Sequence, residues 1–133
     1  MGVVEDVAAR LRTQIPSRTV YEYALPSDGT IPAAYLLVRS SVSREDSERM
    51  CDTTNVVDHT VRVLSIARNP DAHRAARTAD AGATFARAAL RDWRPSGGQW
   101  KLRFDVGSDP YRDDTTPETS FVVGLQYGLR ATP

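Results

Sequence analysis

PDAHRAARTADAGATFARAALRDW, residues 70–93, repeats apolar side chains at helical spacing, and WKLRFDV, residues 100–106, alternates apolar and charged behind it. At about 100° per residue, Ala72, Ala75, Ala76, Ala79, Ala83, Ala86, Leu90 and Trp93 fall within one arc of roughly 100°. An arc made mostly of alanine lets a helix lie close to a sheet. Asn69 is the expected N-cap, Pro70 fits the first helical position, where no N–H is needed, and Asp71 sits against the positive end of the dipole. Arg91 and Arg94 suit the negative end, and the Pro-Ser-Gly-Gly run at 95–98 stops the helix. The alternation at 100–106 predicts a strand with one apolar face. A long helix joined to such a strand predicts an α+β domain.

Two features of the helix point outward. Arg77, Arg87 and Arg91, with His73 and Asp80, form a charged flank beside the alanine stripe. Phe85 projects away from the stripe, among Ala81, Ala88 and Ala89. It is either a lone exposed aromatic, which is ordinary in soluble proteins, or part of a second buried face, which in so small a chain means a neighbouring subunit.

On the N-terminal side, Val3, Val4, Val7, Ala8, Leu11 and Ile15 keep i, i+3, i+4 spacing and predict a first helix over 2–14. RTVYEYAL at 18–25 predicts a short strand, and the Pro-Ser-Asp-Gly turn signal at 26–29 leads to a second strand over 33–40. The two strands read as a hairpin or a wide loop connection. Tyr35, Leu36, Leu37 and Val38 form an unbroken apolar run that predicts burial on both faces. The polar excursion at 41–55 reads as a charged hairpin extension, a short helix or a loop. VVDHTVRVLSIAR at 56–68 predicts a third strand; a second polar excursion at 107–119 precedes a last strand over 120–130. In that last strand Phe121, Val123, Leu125, Tyr127 and Leu129 share one face, and Gly124 and Gly128 lie on the other, where something can approach the backbone closely. The order α-β-β-β-α-β-β predicts a mostly antiparallel mixed sheet of about five strands, with two helices packed on one face. The 133 residues are expected to form a single domain, 1–133.

Seventeen basic and seventeen acidic residues cancel, so no global field recruits nucleic acid or a membrane. The distribution is uneven. Residues 62–103 hold nine basic and three acidic side chains, whereas 105–118 hold five acidic and one basic. Such asymmetry suits joining to copies of the same chain or to stacked partners, and equally suits solvated faces. Cys51 is the only cysteine, which excludes a disulfide framework. No apolar run reaches membrane-spanning length and no signal-peptide core follows Met1, so a soluble protein made in the cytoplasm is expected.

Asp105, Asp109, Asp113 and Asp114 crowd one loop, but their spacing and Pro110 do not fit a calcium loop. Asp58 and His59 are neighbours in a strand and point to opposite faces, so one cannot orient the other as a base. Gly97 and Gly98 follow a helix instead of preceding one, which removes the phosphate-cradle logic. The arginine flank lacks interleaved surface aromatics for a single-stranded nucleic acid. No cofactor, metal or catalytic residue is assigned, and the expected role is not that of an enzyme.

The whole chain resembles the tail terminator (tail completion) proteins of long-tailed bacteriophages and related tail-like particles. The resemblance rests on a leading helix from Val3 to Leu11, a Val20-Tyr21-x-Tyr23 strand and an Asp28-Gly29 turn. It continues through Pro32-x-x-Tyr35-Leu36-Leu37-Val38, a charged excursion, and Val61-x-Val63 leading into an Ala/Arg-rich helix, and it ends with two closing strands separated by a polar loop. It implies a virion protein at the tail–neck junction. Six copies close into a ring on the head-proximal end of the tail tube, stop tube polymerisation and offer a surface for head–tail joining. The implied partners are the chain itself, the tail tube protein and the head-completion or stopper protein of the neck; viral DNA passes through the lumen. Phe85, Arg77, Arg87 and Arg91 are then expected at the subunit interface. Arg44, Glu45, Asp46, Glu48 and Arg49 in one excursion, and Asp109, Tyr111, Arg112, Asp113 and Asp114 in the other, are expected to meet tube or neck. The competing readings are another head–tail connector (a stopper or adaptor), a small α+β enzyme with a scattered site, and a nucleic-acid-binding module using the arginine flank.

Overall fold

The computed structural model describes residues 2–27, 29–46, 56–95, 102–113 and 119–131. Its elements are α1 (Val3–Gln14), β1 (Thr19–Glu22), β2 (Ala34–Asp46), β3 (Val56–Arg68), α2 (Ala72–Leu90), β4 (Arg103–Gly107), β5 (Tyr111–Arg112) and β6 (Ser120–Ala131). The sheet runs β1-β2-β3-β6-β4, with β5 also paired to β6. All pairings are antiparallel except β1 with β2. This is the α+β architecture expected from the sequence, with the two-residue β5 added.

Both helices cover one face. Val4, Val7 and Leu11 of α1, and Ala79, Ala83, Ala86 and Leu90 of α2, pack on Leu36, Val38, Val61, Val63, Val123, Leu125, Tyr127 and Leu129 of the sheet. The other face carries a smaller cluster of Tyr35, Leu37, Ile66 and Val122 beneath Tyr21, Leu25 and Ile31. The 35–38 run is therefore buried on both sides, as its unbroken apolar character required.

α2 lies close to β3 because its buried stripe is small. Ser65 Oγ donates to the Ala79 carbonyl at 2.7 Å. A methyl group at Gly82 would run into the Ser65 hydroxyl and the Arg18 guanidinium. Arg18 Nη2 donates to the Thr78 carbonyl at 2.8 Å, and burial pushes the Arg18 pKa down.

Several local expectations are corrected. The helix begins at Ala72, and Asp71, not Asn69, is its N-cap: the Asp71 side chain accepts from His73 N and Arg74 N. Asn69 Oδ1 instead accepts from Asp71 N at 2.9 Å, and Pro70 lies outside the helix. In the stripe, Ala72 is exposed, while Gly82 and Ala89 join the buried side. β1 and β2 are not a hairpin; they run parallel, joined by the wide connection 23–33 that covers the helix-free face. The 41–55 excursion begins as a hairpin extension, with Arg44 opposite Asp58 and Asp46 opposite Val56; residues 47–55 lie outside the described residues. The 107–119 excursion is not wholly a loop, because β5 pairs Tyr111 with Val122.

The strand at 100–106 departs furthest from expectation. It starts at Arg103, and a register shift between Phe104 and Val106 makes Asp105 a bulge. The shift leaves Phe104 beside Tyr127 on the helix side and turns Val106, opposite Gln126, to the other face. Every residue of β4 is exposed.

Both rims of the sheet are modified. At β1, Arg12 Nη2 donates to the Val20 carbonyl at 2.8 Å and Arg12 Nη1 meets Glu22 Oε1 at 3.0 Å. At the far rim, β4 and β5 are one edge strand interrupted at 108–110: Gly107 pairs with Leu125 and Tyr111 with Val122. Ser108 bridges the break, its N–H donating to the Gly124 carbonyl and its Oγ accepting from Gly124 N, both at 2.8 Å.

Candidate functional site

The candidate site is the outer surface of α2 with the grooves on either side. Helical periodicity turns residues three and four apart onto one face, so the alanines that bind the sheet leave Arg77, Thr84, Ala88 and Arg91 outermost. Thr84, Arg87, Arg91, Leu102, Phe104 and Tyr127 line a groove of about 540 Å³ between α2 and β4. The Arg87 guanidinium carbon lies 4.3 Å from the Phe104 ring centroid, and the Phe104 ring meets Tyr127 edge-on at 5.5 Å. Arg87 is thus held over an aromatic face, an arrangement worth about 0.5–1 kcal/mol at an exposed position. Tyr127 is deeply buried, and that burial pushes its phenol up to about 12, with Arg87 acting weakly the other way.

On the α1 side, Ile15, Pro16, Phe85, Ala88 and Ala89 line a second groove of about 300 Å³. Phe85 is 51% exposed there, and Ala88 borders both grooves. The surface is therefore continuous: an aromatic at each margin, small residues between, and arginines along one side. Arg77 is exposed on the same helix. Of the expected interface residues, Phe85, Arg87 and Arg91 are brought to this one surface. Phe104 and Tyr127 belong to it as well, although the alternation at 100–106 singled out only an apolar face and not this surface.

The helix-free face offers a different surface. Leu64, Val106, Tyr111 and Gly124 line a depression of about 230 Å³, with Val106 55% and Tyr111 50% exposed. Gly124 leaves this depression open, whereas the Arg103 and Asp105 side chains lie over Gly128. Asp105 is paired with Arg103 at 3.5 Å, and Asp109 is exposed in the break between β4 and β5.

The remaining expected residues separate. Arg44, Glu45 and Asp46 belong to the β2–β3 ribbon at one end of the sheet. Arg112 ends β5, and Asp113 donates its N–H to the Ser120 carbonyl at the other end, where β3 leads into α2. Glu48, Arg49 and Asp114 lie outside the described residues. Among the described residues, no group of three or more His, Cys, Asp or Glu side chains converges to hold a metal, and no helix is long and apolar enough to cross a membrane.

Comparison with family models and with curated proteins finds no match. Among solved structures the chain is similar to one described as "Virion of native gene transfer agent (GTA) particle". The two share 19% sequence identity and superpose with a TM-score of 0.74 over 98% of this chain and 95% of that chain. At that identity the likeness is one of fold, and it extends over nearly the full length of both chains.

Proposed function

We propose that the chain is a structural virion protein of a phage-like particle, acting as a tail terminator. Six copies close into a ring on the head-proximal end of the tail tube, end tube polymerisation and present a surface to the neck. The reading is carried by the near full-length fold likeness to a protein of a gene transfer agent virion. Two arrangements described above support it. The outer face of α2 is broad, open and flanked by exposed aromatics, as suits side-by-side packing of subunits. The polar excursions leave the sheet at opposite ends, as suits a subunit stacked between two different neighbours. In this reading the ribbon with Arg44, Glu45 and Asp46 meets one neighbour, tube or neck, and the segment from Asp113 onward meets the other. The work is mechanical, and no bond is made or broken.

Electron microscopy of the purified chain mixed with polymerising tube protein tests the proposal. Short tubes capped by a ring at one end are expected. Tubes that grow to unlimited length with uncapped ends overturn it. Replacing 41–55 by a short Gly/Ser linker is expected to keep the fold and abolish capping.

A further inference from the structure

β1 stops short for a local reason. Tyr23 follows it with φ 65°, and Ala24 N–H donates to the Glu22 carbonyl at 2.7 Å, a three-residue turn that a non-glycine residue adopts only at a cost in strain. Tyr23 Oη donates to Glu5 Oε1 at 2.8 Å, which ties the turn to α1. The turn takes the chain off the edge of β2. Tyr23 N–H makes the last bond there, to the Val38 carbonyl at 2.9 Å, and beyond Val38 no strand pairs with that edge among the described residues. β2 nevertheless continues to Asp46. Because the Val38 carbonyl faces the β1 side, alternation turns the backbone N–H and C=O of Ser40 and Val42 the same way. The other side of the ribbon matches. β6 runs past the end of its pairing with β4, at Gly128, to Ala131. Gly124 bonds to Ser108 across that edge, so alternation turns the backbone groups of Arg130 outward as well. The two open edges lie at one level: Val42 and Leu129 both pair with His59, and Glu45 and Ala131 both pair with Val57. β2 and β6 also run in the same direction, since each is antiparallel to β3.

We infer that the end of β6 in one copy pairs, parallel, with the β2 edge from Ser40 to Glu45 of the next, taking the place along β2 that β1 vacates at Tyr23. The inference rests on the ring reading above and names a backbone junction for it. An open strand edge is satisfied by another strand, and this chain carries both of the unlike edges such a junction needs. A neighbour turned about an axis along the strands keeps their direction. Its β6 therefore arrives parallel to β2, as β1 does, and at the height where both ladders are bare. Pairing β2 with β2, or β6 with β6, would close a two-fold pair and leave the other edge bare. The unlike pairing leaves one edge of each kind free at every stage until the ring closes.

Proline substitution in the full-length chain tests the pairing, read by native mass spectrometry and sedimentation, with circular dichroism verifying the fold. Ser40→Pro and Arg130→Pro each delete one outward N–H and leave the donors that face β3 in place. Each alone is expected to weaken self-association at least about tenfold. An equimolar mixture is expected to form heterodimers and no rings, because Ser40→Pro keeps a sound β6 edge and Arg130→Pro a sound β2 edge, which makes one junction. In the wild-type chain, hydrogen exchange at the Ser40 amide is expected to slow on assembly. Rings that persist in Ser40→Pro, stable dimers of Arg130→Pro alone, a mixture without heterodimers, or a Ser40 amide that assembly does not slow overturn the pairing while leaving the ring reading intact. A wild-type chain that stays monomeric up to its solubility limit, alone and with tube protein, overturns both.

Discussion

Gly82 of α2 lies directly over Ser65 of β3, with no room for a methyl group between them. In an exposed helix, replacing glycine by alanine gains up to about 1 kcal/mol. Here the added carbon meets the Ser65 hydroxyl and the Arg18 guanidinium, so Gly82→Ala is expected to destabilise the fold by about 1–3 kcal/mol. Urea denaturation followed by far-UV circular dichroism measures it. Adding Ser65→Ala is expected to recover only part of the loss, since Arg18 remains in place.

The start of α2 makes a second expectation. Asp71 accepts from two backbone N–H groups of the first turn, His73 N at 3.0 Å and Arg74 N at 3.4 Å. Asp71→Ala should cost about 1 kcal/mol. Asn69→Ala removes only the bond to Asp71 N, and about 0.5 kcal/mol is expected. Equal losses at the two positions would contradict the cap assignment.

Alkaline pH should unfold the protein through its buried tyrosines. Burial raises the Tyr127 phenol to about 12 and also raises Tyr35, whereas an unfolded tyrosine titrates near about 10. The unfolded chain therefore loses the proton first. The Tyr127 contribution to stability is fully present below about pH 10 and is lost as pH rises to about 12. Urea midpoints should stay level to about pH 9.5 and then fall, and Tyr127→Phe should flatten the fall while keeping the ring contact with Phe104.

Phe85 separates assembly from stability. Half exposed in the groove between α1 and α2, it contributes modestly to the fold, and Phe85→Ser is expected to cost about 1 kcal/mol or less. In the ring reading the same change removes an aromatic anchor and should abolish self-association. Calorimetry alongside native mass spectrometry distinguishes the two effects.

What the sequence made legible follows from what periodicity can encode. β3 matches the expected strand 56–68 end for end, and Phe121, Val123, Leu125, Tyr127 and Leu129 share the helix side of β6. Strand direction is not encoded this way. The Pro-Ser-Asp-Gly signal at 26–29 does supply a positive φ at Gly29. The chain, however, has already turned at Tyr23, where φ is 65° and Ala24 N donates to the Glu22 carbonyl at 2.7 Å, and it returns over the helix-free face, so that β2 starts parallel to β1. A bulge is equally invisible to alternation, which placed Phe104 and Val106 together when the shift at Asp105 separates them. Phe85 was legible because it broke the stripe. Phe104 was not, because it appeared to obey the pattern.

The two rims of the sheet have a consequence for growth. Arg12 occupies the Val20 carbonyl on one side, and on the other the bulge, the Ser108 bridge and Pro110 spoil the straight ladder another strand would need. At these two edges a further copy finds little straight ladder to extend, so union there is left to side chains that can be satisfied in a finite number. A part whose proposed office is to halt elongation has, at β1 and at β4–β5, edges that resist elongation themselves.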